Sequence, residues 1–116
     1  REELKELLNY CYSKDTCSPG LRDKWNEDNK TLGQCAITSL IVNDYFGGKI
    51  MRCMASTGSH YYNLIDDALV DFTAEQFLGE IPLYNEGEER TAATRINGDT
   101  SEQKIINKLK SNGFID

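Results

Sequence analysis

The chain has 116 residues, 39% of them apolar and 28% charged, with a formal net charge of −6. That length makes one domain, 1–116, able to bury about two thirds of its unfolded surface. The acid excess argues against tracking nucleic-acid phosphates or docking on an anionic membrane, and no apolar run reaches the roughly 20 residues of a spanning helix.

Glu2 to about Tyr12 reads as an amphipathic helix, with Leu4, Leu7, Leu8 and Cys11 on one face. Lys14 to Lys30 is a long irregular connection with a Ser18-Pro19-Gly20 turn signal and the single tryptophan, Trp25. Trp25 suits either one wall of a substrate cleft or a cap over the core. Asn29-Lys30-Thr31 matches a glycosylation sequon, a short pattern that recurs by chance. Thr31 to Phe46 is the central helix. Ile37, Leu40, Ile41 and Tyr45 recur at helical spacing, Thr31 with Gln34 forms a capping-box signal, and Gly47-Gly48 is a stop.

Lys49 to Ala55 reads as a strand, Ser56-Thr57-Gly58 as a turn, Ser59 to Ile65 as a second strand and Ala68 to Phe72 as a third. Thr73 with Gln76 is another capping signal, opening a short helix to about Leu78. Gly79 to Gly98 is acidic and irregular, punctuated by Pro82, Gly87 and Asn97-Gly98. Capping chemistry returns at Thr100-Ser101-Glu102-Gln103, before a final helix carrying Ile105, Ile106 and Leu109 and stopped by Gly113.

The four cysteines, Cys11, Cys17, Cys35 and Cys53, form no paired C-x-x-C units, which argues against a zinc ribbon. Cys11 and Cys17 would suit a disulfide in a secreted protein. No secretion signal is visible, so reduced thiols and a cytoplasmic location are the expectation, although the chain starts at Arg1 and not at Met. Cys53 reads as a small buried hydrophobe.

Cys35 stands apart because it falls in the first turn of the central helix. Helix starts present unpaired N–H groups and partial positive charge, which favour a nucleophilic thiolate. The chain's one histidine, His60, opens the second strand. If Asp66 and Asp67 alone close the following hairpin, Ile65 opposes Ala68, Leu64 opposes Leu69 and Tyr62 opposes Asp71. The strand period of two then puts His60 and Asp71 on one face as diagonal neighbours. An even-length turn preserves this parity and an odd one destroys it. With the helix laid over that face, Cys35 attacks a carbonyl carbon, His60 moves the proton and Asp71 orients the ring. The Cys35 N–H and the Gln34 amide serve as oxyanion donors, with Trp25 beside the substrate. The competing readings are an inert buried cysteine, a hydrogen-bonded structural histidine and a turn-forming aspartate.

Gly33-Gln34-Cys35-Ala36 resembles the Gly-Gln-Cys-Trp nucleophile motif of transglutaminases, with Ala36 in the aromatic position. The order helix-Cys, strand-His, strand-Asp is similar to that of transglutaminase-like and papain-like enzymes. From Cys17 to Leu78 the chain resembles the YunG-like family of uncharacterised bacterial proteins. The matching residues are Thr16-Cys17 with Lys24-Trp25, Gly33-Gln34-Cys35-Ala36, Asp44-Tyr45-Phe46-Gly47-Gly48, Ser59-His60-Tyr61-Tyr62-Asn63, Asp71-Phe72-Thr73 and Glu75-Gln76-Phe77. Phe72 stands where that pattern usually has leucine. This second resemblance groups the chain and implies no reaction.

The expected fold is α+β: a central Cys-bearing helix on a small antiparallel sheet with flanking helices, papain-like or transglutaminase-like at its core. The expected function is cysteine-dependent acyl transfer or hydrolysis of an amide or ester through Cys35, His60 and Asp71, on a small-molecule or peptide substrate and without a cofactor. The alternatives are a non-catalytic binding or accessory module on the same scaffold, and a single-ion metal site of Cys35, His60 and Asp71.

Overall fold

A computed structural model describes residues 2–56, 58–90 and 99–113. Helix α1 is Glu2–Cys11, α2 is Cys35–Phe46 and α3 is Asp99–Ser111. Strand β1 is Lys49–Ala55, β2 Gly58–Ile65, β3 Ala68–Val70 and β4 Glu88–Arg90. The strands make one antiparallel sheet in the order β3-β2-β1-β4. The molecule is thus a small α+β domain of three helices and a four-stranded sheet among the described residues.

The β2–β3 hairpin is the decisive local feature. Ile65 pairs with Ala68, Leu64 with Leu69 and Asn63 with Val70, so Asp66 and Asp67 alone form the turn. Both have positive φ, 51° and 65°, as a two-residue type I′ turn requires and as Asp tolerates. The third strand stops at Val70, two residues earlier than its apolar run suggests.

Leu8, Cys11 and Tyr12 at the α1 end, Ile37, Ile41 and Val42 of α2, Ile65, Val70 and Phe72 from the sheet region, and Ile105 and Leu109 of α3 form one core. Asn63 of β2 donates from Nδ2 to the Ser39 carbonyl of α2 at 3.0 Å. The body of α2 therefore lies over the Asn63–Ile65 face of the sheet. His60 and Tyr62 fall on the opposite face. This corrects the expectation that the helix covers the His60 face: the buried apolar and amide side chains that attract α2 are the odd-numbered ones of β2.

Lys14 to Lys30 folds as three short 3₁₀ turns. Neither expected capping box forms at α2 or at the Ala74–Phe77 turn. Gln34 and Thr73 occupy the cap positions, but neither side chain caps its helix. Between Gly79 and Gly98, expected to be irregular throughout, Tyr84–Glu86 is a 3₁₀ turn and Glu88–Arg90 adds a strand to the sheet edge. Asn97-Gly98, Thr57 and the side chains of the Thr100–Gln103 capping signal lie outside the described residues. No helix among the described residues is long and apolar enough to cross a membrane.

Candidate functional site

Cys35 is the first residue of α2, so its N–H and those of the next residues lack helical partners. Three contacts fix this helix start. Thr16 gives its hydroxyl to Gln34 Oε1 at 2.8 Å, and Gln34 Nε2 donates to the Ser13 carbonyl at 3.1 Å. From the other side, Gly33 N–H donates to Gln76 Oε1 at 3.3 Å. Gln34 is fully buried as it makes these bonds. Its amide braces the helix start through Thr16 and Ser13 and is thereby used up.

His60 projects from β2 into an aromatic box. Its ring meets the edge of Phe77, centroids 4.8 Å apart, stacks at 6.2 Å on Tyr62 and tilts at 6.4 Å against Tyr84. His60 Nε2 lies 2.6 Å from Asp71 Oδ2. Both side chains are sealed from solvent, at 0% and 3% exposure. Asp71 sits one residue past β3, where the extended register sets it opposite Tyr62. The even turn thereby brings His60 and Asp71 onto one face.

The remaining ring nitrogen, Nδ1, is buried without a hydrogen-bond partner. Cys35 is close enough to act on the ring as a hydrogen-bonding and charged neighbour. Thiol and imidazole are thus neighbours, and Nδ1 makes no completed hydrogen bond. Burial alone would push the His60 pKa down, but the hydrogen bonds and charges of Asp71 and Cys35 outweigh it and raise it to about 9. The contact forms where β3 has ended: the Asp71–Phe77 segment clamps Gly33 through Gln76 and sets the Phe77 ring against the imidazole.

The structure therefore brings Cys35, His60 and Asp71 together. It does not bring Gln34 to them through its side chain. Trp25 is half-buried and spends its N–H on the Lys30 carbonyl of its own loop at 2.9 Å. Two residues of the site carried no sequence signal. Tyr84 donates from Oη to Asp71 Oδ2 at 2.5 Å. Tyr12 hydrogen-bonds Thr38 at 2.6 Å, one turn after Cys35, and its ionisation is pushed up by burial, with Cys35 and Asp71 adding to the push.

All four cysteines are free thiols. Burial pushes Cys11, Cys17 and Cys53 upward. Among the described residues no group of three or more His, Cys, Asp or Glu is arranged to hold a metal ion, which leaves the single-ion reading without a ligand set. A groove of about 330 Å³, lined in part by Asn9, Asp28, Thr31 and Glu75, includes none of the three central residues.

No solved structure matches the chain. It is 36% identical over 80 residues to a protein of Bacillus subtilis (strain 168) whose printed name is "Uncharacterized protein YunG"; the match covers 69% of this chain and 65% of that relative. The aligned region thus spans just under two thirds of the relative's length. The YunG protein family model matches residues 1–112. With nearly the whole chain covered by that model, the protein belongs to the YunG family.

Proposed function

We propose that the protein is a cysteine-dependent acyl transferase or hydrolase acting on an amide or ester, on a scaffold related to papain-like and transglutaminase-like cores. The observation that carries this reading is the divided use of one imidazole. Nε2 is tied to Asp71 at 2.6 Å, while Nδ1 is buried, unpartnered and left for the thiol at the start of α2.

The chemistry follows from these positions. His60 accepts the Cys35 thiol proton, and the sulfur attacks the acyl carbon. The C–N or C–O bond to the leaving group breaks, a thioester to Cys35 forms, and the imidazolium returns its proton to the leaving amine or alcohol. Water or an amine then gives a proton to His60, attacks the thioester and frees the thiol. Asp71 fixes the ring tautomer and orientation throughout, and the Cys35 N–H at the helix start supports the oxyanion. The plainest substrate is a peptide or a glutamine side chain.

Iodoacetamide labelling near neutral pH tests the proposal. Cys35 is expected to react at least about tenfold faster than the other three cysteines, and His60→Ala is expected to remove that advantage. Slow, equal labelling of all four thiols sinks the enzymatic reading and favours a non-catalytic binding module.

A further inference from the structure

Asp71 carries more hydrogen bonds than orienting a ring requires. Its Oδ1 accepts the Thr73 N–H at 3.1 Å and the Thr73 hydroxyl at 3.3 Å. Its Oδ2 accepts both His60 Nε2 at 2.6 Å and the Tyr84 hydroxyl at 2.5 Å. Two carboxylate oxygens offer about four lone-pair sites, so the set is full. Tyr84 and the imidazole share one acceptor atom.

Tyr84 is held firmly to that task. Its ring meets Tyr62 edge-on with centroids 5.0 Å apart, and its carbonyl accepts from the Tyr62 hydroxyl at 3.2 Å. The preceding Leu83 N–H donates to the Met54 carbonyl at 3.0 Å, tying this turn to the end of β1. Burial first, then the bond to Asp71 and its charge, keep the phenol protonated far beyond the ordinary range, so it donates at every working pH.

We propose that Tyr84 is a positioning residue of the candidate site: its hydroxyl draws on the same Asp71 oxygen as the His60 ring and limits how strongly that carboxylate holds the imidazole proton. Its catalytic meaning rests on the acyl-transfer reading above; its effect on the ring does not. A carboxylate bound to His60 alone would grip the imidazolium and slow the return of the proton to a leaving group. A second donor on the same oxygen spends part of that charge, so the ring releases its proton more readily.

The test uses the chain's only imidazole, whose ring-proton NMR signal titrates without overlap from any other histidine. The ionisable groups that act on or meet the ring are Cys35, Asp71, Tyr84 and Tyr62; Cys53 pairs with His60 across the strands, and Tyr12 acts on Cys35 and Asp71. Tyr84→Phe keeps the ring and removes only the hydroxyl, so the His60 midpoint is expected to rise by about 0.5–1 unit. An unchanged or lowered midpoint in the folded variant overturns the proposal. Should Tyr84→Phe fail to fold, 3-fluorotyrosine introduced at position 84 is a stronger donor and is expected to lower the midpoint; no shift overturns the proposal equally. Labelling of Cys35 separates the two readings. If labelling depends on His60 and the midpoint stays put, the Tyr84 assignment alone falls. If labelling is indifferent to His60 and the midpoint rises, Tyr84 tunes the ring and the acyl-transfer reading falls.

Discussion

Gly33 shows how a single position holds the start of α2 in place. Its φ is +71°, and a Cβ added there would fall inside the Cys17 sulfur and tight against Ser18. Its carbonyl also accepts the Ser18 N–H at 2.9 Å. Only glycine satisfies both the backbone and the close approach. Gly33→Ala is expected to cost about 2–4 kcal/mol in urea unfolding, through strain and overpacking together. At this scale the legible residues were those governed by local rules. Cys35 was placed by the helix pattern, and His60 and Asp71 by strand parity. Gln34 was not legible in its true use, because its partners Ser13 and Thr16 lie 21 and 18 residues away. A capping motif describes what a side chain does when nothing better is near, and here a buried loop is nearer. Tyr84 was hidden for the same reason: its partner, Asp71, is 13 residues back, across a stretch without periodicity.

Among the elements, the two-residue Asp66-Asp67 turn controls the site although it touches none of it. One glycine inserted between them moves β3 and Asp71 by one register step, turning the carboxylate to the other face. The His60 midpoint is then expected to fall from about 9 toward the ordinary histidine value, while a two-residue insertion, which restores parity, keeps it raised. NMR titration of the two variants reads this directly. A lowered midpoint in both would show that turn length, and not parity, matters. The hairpin was legible because alternation and turn chemistry agree there. Strand β4 was not: Glu88-Glu89-Arg90 is three charged residues at a sheet edge, where pairing to β1 supplies what side-chain pattern does not. The helix-over-sheet placement also escaped the sequence, since β2 buries residues on both its faces and alternation alone could not say which face α2 would choose.

Across the whole molecule, the buried His60–Asp71 pair links folding to pH. The folded-state value of His60 is raised to about 9 from an ordinary 6.5. The protonated ring therefore stabilises the fold fully below about pH 6.5, and that contribution is lost as pH climbs through 9. Stability by urea unfolding is expected to fall by roughly 3 kcal/mol between pH 6 and pH 9. The buried thiols of Cys11, Cys17 and Cys53, pushed upward, add their own loss at the alkaline end. Asp71→Asn isolates the histidine: between pH 6.5 and 8 its stability is expected to be nearly flat. A wild-type curve equally flat there would contradict the raised imidazole. The core that bears this pair is shared by the sheet region and all three helices, and Lys108 of α3 reaches across to the Cys11 carbonyl at 3.0 Å, where α1 ends.

Of the four thiols, Cys11, Cys17 and Cys53 are buried and Cys35 is the one partly open to solvent. The unmodified protein consequently carries a built-in attachment point for a fluorophore or spin label at the head of its central helix. Light or resonance from such a probe would report any molecule that approaches there, before its chemical identity is known.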